Sequence, residues 1–185
     1  MRQGWAEAVI SAEVDGTALT ASTTPTSILP AAARVTIPPN FLKIGSLFLL
    51  RAHGRVSNIV TTPGTLTLSA RFGAVIVANG GAMALNIVAK TNVPWYLEWL
   101  LTCRSIGGGT SATMMHQGKW TSESVIGSGL PSAGGAGTHM LPNAAPAVGT
   151  GFDSTAAQAV DLFAEWSLNN ANSIQVHGYS LDSLN

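Results

Sequence analysis

Residues 92–105 read NVPWYLEWLLTCRS, the most apolar stretch of the chain and the home of its single cysteine. The odd positions Val93, Trp95, Leu97, Trp99, Leu101 and Cys103 are all apolar, whereas Tyr96, Glu98, Thr102 and Arg104 occupy even ones. Only a period of two separates these sets, so the stretch predicts a strand with one buried and one wetter face. Glu98 and Arg104 interrupt it too early for a membrane span, and no other run reaches the length one needs. Fourteen extended residues would cover roughly 46 Å, so a bend or bulge is expected near Pro94 or Leu100–Leu101. Cys103 shares its face with tryptophans and leucines. Burial there raises a thiol's pKa and makes it inert, so it reads as a small core residue rather than a nucleophile.

The same alternation recurs on both sides. From Thr65 to Val77 the even positions Leu66, Leu68, Ala70, Phe72, Ala74 and Ile76 are apolar, opposite Thr65, Thr67, Ser69 and Arg71. In Ser46–Ser57, Phe48, Leu50, Ala52 and Val56 lie opposite Arg51, His53, Arg55 and Ser57. Further strands are expected near Glu7–Val14, Arg34–Ile37, Met83–Val88, Ser111–Thr121, Ala159–Ser167 and Ser173–Leu181, about nine in all. Turn-forming clusters separate them: Asp15-Gly16, Pro38-Pro39-Asn40, Pro63-Gly64, Asn79-Gly80-Gly81 and Gly107-Gly108-Gly109. Connections this short join antiparallel strands, because parallel pairs need long crossovers. One segment competes for helix, Asp153–Trp166, where Thr155 and Gln158 have capping-box spacing. Beyond Ala159, however, Val160, Leu162, Ala164 and Trp166 alternate with Asp161, Phe163 and Glu165, and a strand is the preferred reading. The expected fold is all-β, one antiparallel sandwich domain over residues 1–185.

Charge is scarce. Only 10% of the 185 residues are Asp, Glu, Lys or Arg, against 46% hydrophobic ones, whereas about 25% is usual. Eighteen charged side chains on a folded surface of roughly 8,400 Å² amount to about one per 470 Å². Either partner subunits cover part of that surface, or Ser, Thr, Asn and Gly supply its polarity. Nine basic residues balance nine acidic ones without runs of either sign, so direct binding of nucleic acid or of an anionic membrane is not expected. Glu7 and Glu13 break the apolar residues of Met1–Asp15, so no secretory core forms there. One cysteine excludes an intrachain disulfide framework.

Two segments escape the alternation. Residues 127–151, GSGLPSAGGAGTHMLPNAAPAVGTG, are almost wholly Gly, Ala, Pro, Ser and Thr, and read as a long connection. Residues 17–33 share this flavour. With the N-terminal segment of about residues 1–33, this loop is expected to act as an inter-subunit arm. Trp5, Leu130, Met140 and Leu141 are its candidate interface residues, Trp5 as a terminal tether.

A search for chemistry returns little. No Ser lies in a G-x-S-x-G elbow, and Gly107–Gly109 and Gly118-Lys119 lack phosphate-loop spacing. His53, His116, His139 and His177 are scattered, without the short spacings of metal sites. His116 shares the apolar parity of Ala112, Met114 and Trp120 and is expected to be an interior or interface histidine, while His53 and His177 fall on polar faces. Asp161 and Glu165 would lie roughly 13 Å apart on a strand, outside the reach of a glycosidase pair. No catalytic residue, cofactor, metal or small-molecule substrate is indicated.

The phrases GTALTASTTPTSILP, VTIPPNFLKIGSLFLLRAHGRVS, GTLTLSARFG, NVPWYLEWLLTCRSIG, DSTAAQAVDLFAEWS and NSIQVHGYSL, with the LDSLN end, resemble small virion proteins of tailed bacteriophages encoded among head and tail morphogenesis genes. The resemblance implies a jelly-roll type sandwich, homotrimeric, bound to the major capsid protein as a capsid decoration or minor capsid component on the virion surface. It brings no functional residues with it. The alternative is a tail-associated sandwich that recognises host-surface glycan, and an enzyme such as a wall hydrolase ranks last.

Overall fold

A computed structural model describes residues 6–125 and 137–184. Two antiparallel sheets pack face to face as a β-sandwich. Within the described residues the strands are β1 (Glu7–Ser11), β2 (Leu19–Thr20), β3 (Thr26–Ser27), β4 (Thr36–Ile37), β5 (Leu47–Asn58), β6 (Thr65–Phe72), β7 (Val75–Ala84), β8 (Lys90–Ser105), β9 (Thr113–Ser122), β10 (Gly137–Leu141), β11 (Gln158–Trp166) and β12 (Ser173–Ser183). The larger sheet runs β1-β12-β5-β8-β9-β10, with β2 also on β12. The smaller runs β3-β11-β6-β7, with β4 also on β11.

The long strand β8 is the backbone of the larger sheet. Trp95, Leu97, Trp99, Leu101 and Cys103 are all buried between the sheets, as the odd-position row predicts. From the facing sheet come Leu66, Leu68, Phe72, Val160, Leu162 and Trp166, and each such side chain withdrawn from water contributes about 1.5–3 kcal/mol. Trp95 stacks on Trp120 at 4.8 Å between ring centroids. Its indole N–H stays satisfied by the carbonyls of Arg55 and Gln175, at 3.1 and 3.2 Å. The expected irregularity of β8 lies elsewhere than at Pro94 or Leu100–Leu101. Register with β5 is unbroken from Val93 to Thr102, and the slips fall at Thr91-Asn92 and at Arg104. Asn92 adopts φ 53°, a left-handed conformation that asparagine tolerates, so the ends of the strand absorb the twist.

Other expectations change, although the strand preferred over a helix after Ala159 is what forms. Thr65–Val77 is not one strand: the chain reverses at Gly73, and the core parity moves from Phe72 to Val77. Asn79-Gly80-Gly81 is a bulge inside β7, not a turn, since Thr67 pairs with Ala82 and Ser69 with Asn79. Gly81 supplies the φ of 76° that this bulge needs. The capping-box residues at 153–158 start no helix. Asp153 Oδ1 instead accepts from the Thr155 N–H and hydroxyl, and the Gln158 amide donates to the Asp153 carbonyl, closing a turn that launches β11.

The described parts of both segments read as inter-subunit arms, residues 6–33 and 137–151, are built into the subunit's own sandwich. On one side, β1 and β2 line the outer edge of β12 while β3 and β4 line that of β11. Residues 6–37 thus close the gap between the sheets. On the other side, β10 pairs with β9 from Gly137 to Leu141. Gly149 N–H then donates to Met114 of β9 and Thr150 N–H to Ile76 of β7, stitching the two sheets together. A Cβ on Gly149 would stand 2.0 Å from the Val77 carbonyl oxygen, so only glycine fits this seam.

Candidate functional site

Among the described residues, the outward face of the larger sheet keeps exposed side chains, Arg51, His53, Gln117 and Lys119 among them. Register places Lys119 (β9), Glu98 (β8), Arg51 (β5) and Ser180 (β12) in one row across it. The neighbouring row is Thr121, Tyr96, His53 and Gly178, and on the other side runs Gln117, Leu100, Leu49 and Asp182. These are the polar-parity positions of strands whose opposite parity is locked in the core, so the buried rows fix where they point.

Local bonds hold several of these groups in place. Tyr96 hydroxyl donates to Glu98 Oε2 at 3.2 Å. Partial burial, followed by the Glu98 contact, pushes the phenol pKa above its usual value, so it stays a neutral donor. Arg51 pairs with Asp182 at 3.2 Å, and Arg55 forks two N–H groups onto Gln175 Oε1 at 3.1 and 2.7 Å. The His53 ring lies against Gly178, where any Cβ would strike it.

Three shallow depressions adjoin Tyr96 and Glu98. One of about 370 Å³ lies between Ala12, Arg51, His53, Tyr96 and Ser180. A second of about 380 Å³ is lined by Pro94, Tyr96, Thr121 and Glu123. The third, about 310 Å³, sits among Leu49, Glu98, Leu100, Gln117, Lys119 and Met140. Together they form an open, broken trough with an aromatic ring near its middle, charged groups of both signs, and apolar side chains at one end.

The outward face of the smaller sheet is more closed. Asp161 is buried there, accepting from Ser27 hydroxyl at 2.7 Å and Leu162 N–H at 2.8 Å and pairing with Arg34 at 3.3 Å. Desolvation pushes its carboxyl up, opposed by those donors. Arg71 lies 4.0 Å above the Phe163 ring. Asp161 thus ties the edge at residues 26–37 to β11.

Among the described residues no cluster of three or more His, Cys, Asp or Glu is placed to hold a metal, and no helix is long and apolar enough to cross a membrane. Cys103 is buried and its thiol pKa is raised by that burial. His177 pairs with Asp15 at 3.0 Å. Of the four predicted interface residues, Trp5 and Leu130 lie outside the described residues. Met140 is 57% exposed at the rim of the third depression, whereas Leu141 is fully buried in its own subunit's core. Leu141 therefore belongs to the sandwich and not to a free surface, because alternation along β10 turns neighbouring residues to opposite faces.

No protein-family description matches the chain, and no curated protein sequence matches it. Among solved structures, it is similar to the CBM2 module of the evolved Dit of Lactobacillus casei BL23 phage J-1. The two share 12% identity over 100% of this chain and 98% of the other, with a TM-score of 0.37. No residue of that module is carried over.

The sequence alone marks Tyr96, Glu98, Arg51 and His53 only as the polar side of strands. The usable signal was their shared parity on two strands long enough to pair with each other, which makes one continuous surface.

Proposed function

We propose that this chain is a non-catalytic binding module of a tailed-bacteriophage particle, and that it engages a saccharide of the host surface through the outward face of its larger sheet. One observation carries the reading: the trough around Tyr96 and Glu98, open to solvent while the other sheet's face is tied to its own chain. Sugars combine hydroxyl groups with apolar ring faces, and they suit a surface where an aromatic ring lies beside neutral and charged hydrogen-bonding groups. The shallow, elongated form suits a polymer lying across strands better than a small substrate enclosed for reaction. The resemblance of its phrases to small tailed-phage virion proteins supports the particle setting.

Co-sedimentation with purified host cell-wall polysaccharide tests this. Wild-type protein is expected to bind, and Tyr96→Ala to weaken binding about tenfold, equivalent to about 1.4 kcal/mol. Binding unchanged in both Tyr96→Ala and Arg51→Ala would remove the trough from the function.

A second reading draws on the apolar end of the trough, where Leu49, Leu100 and Met140 meet. Such a strip suits protein contact, as in a homotrimeric decoration protein seated on the major capsid protein. A trimer by light scattering, dissociated by Leu100→Lys, would favour it, whereas a monomer favours the saccharide module.

A further inference from the structure

The seam between the sheets holds a further concavity, away from the outward face, about 310 Å³ in volume and formed by Ile76, Asn79, His116, Pro142, Ala145 and residues 147–150. That volume is about ten times the share of one water in the liquid. Its apolar wall comes from Ile76, Pro142, Ala145, Ala147 and Val148, and no charged side chain lines it.

The polar groups there are donors that the fold leaves over. His116 is only 5% exposed, and its Nδ1 accepts the Trp99 indole N–H at 3.3 Å. A neutral imidazole whose Nδ1 accepts carries its proton on Nε2, and Nε2 has no partner among the described residues. Burial disfavours the imidazolium, so His116 offers an N–H without a charge. Asn79 uses its carbonyl oxygen on Gly81 N–H at 2.9 Å, which leaves its amide hydrogens. Both donors reach solvent in the concavity, Asn79 from an exposed position, and a ligand that displaces the water there must present an oxygen to them.

We propose that this concavity binds a small neutral acetamido group, of the kind carried by N-acetylated amino sugars. The carbonyl oxygen accepts from His116 Nε2–H and Asn79, and the methyl lies against Ala145, Ala147 and Val148. A carboxylate or phosphate finds no cation there, and a bare hydroxyl leaves the apolar wall unused. The site shares no residue with the outward-face trough and does not depend on it.

Nuclear magnetic resonance titration of the intact chain tests the proposal, with N-acetylglucosamine as probe and glucose as control. N-acetylglucosamine is expected to shift the His116 Nε2 resonance and the amides of residues 145–150 saturably, and glucose to leave them in place. Ala145→Trp and Ala147→Trp, both at exposed positions, fill the space from outside the core and are expected to weaken binding about tenfold or more with an unchanged melting temperature. An equal response to both sugars, no saturable shift, or shifts confined to the Tyr96 row would each overturn the assignment.

Discussion

Replacing Leu141 by alanine tests whether residues 137–150 close the sandwich or reach for a neighbour. Leu141 is fully buried, and its side chain packs near the backbone of Gly80, where an added Cβ would stand 3.3 Å from a Leu141 methyl. Paired strands wall the site and cannot easily collapse into the space left behind. The cost therefore falls within the usual range for a buried leucine, about 2–5 kcal/mol. At about 3 kcal/mol, and with a urea dependence of about 2 kcal/mol per molar, the unfolding midpoint drops by about 1.5 M. The same loss lowers the melting temperature by about 6–12 °C for a chain of this size. Met140, one residue earlier and 57% exposed, is the internal control: Met140→Ala is expected to stay within about 0.5 kcal/mol of wild type. Equilibrium urea unfolding followed by tryptophan fluorescence reads both. A wild-type midpoint for Leu141→Ala, or an equal loss for Met140→Ala, would refute the closing role.

Gly149→Val drives a side chain into the Val77 carbonyl and is expected to cost at least about 1–3 kcal/mol, read as the same midpoint shift. Cys103, fully buried with a raised thiol pKa, should react with a thiol reagent only at the rate of unfolding; rapid stoichiometric labelling of native protein would contradict its place in the core. For His116, burial lowers the folded-state pKa below its ordinary value near 6.5. The folded chain then holds this proton less readily than the unfolded one. Its contribution is complete above about pH 6.5 and is lost as pH falls toward the folded pKa, at up to about 1.4 kcal/mol per pH unit. His116→Gln is expected to flatten that part of the stability profile. Asp161, whose pKa is raised, acts with the opposite sign nearer the carboxylate range, so the comparison between wild type and variant is what isolates His116.

Alternation in 92–105 was enough to assign the strand, its buried row and the inert cysteine, because side-chain parity is a local property of extended backbone. Bulges were not legible in the same way. Asn79-Gly80-Gly81 has the composition of a turn, and only the pairing of Ser69 with Asn79 and Thr67 with Ala82 makes it an irregularity inside β7. The place of residues 137–150 in the sandwich was hidden for a related reason. Edge closure is a long-range matter, so a run of small residues that fits between two sheets has the same composition as one that drapes over a neighbour. Glycine at 149 is required by the carbonyl of Val77, far back along the chain in β7, a contact no local pattern reports. The trough residues were visible individually, on alternating positions of β5 and β8. Their joint surface required the register that sets Arg51 beside Glu98 and His53 beside Tyr96.

The most direct test of the binding-face account is a hydrogen-exchange footprint of the intact protein with purified host-surface polysaccharide. Protection concentrated in residues 49–55, 94–100 and 117–121, the strands that carry the trough, is the predicted result. Saturable binding whose protection falls instead on residues 26–37 and 158–166 of the opposite sheet would contradict it.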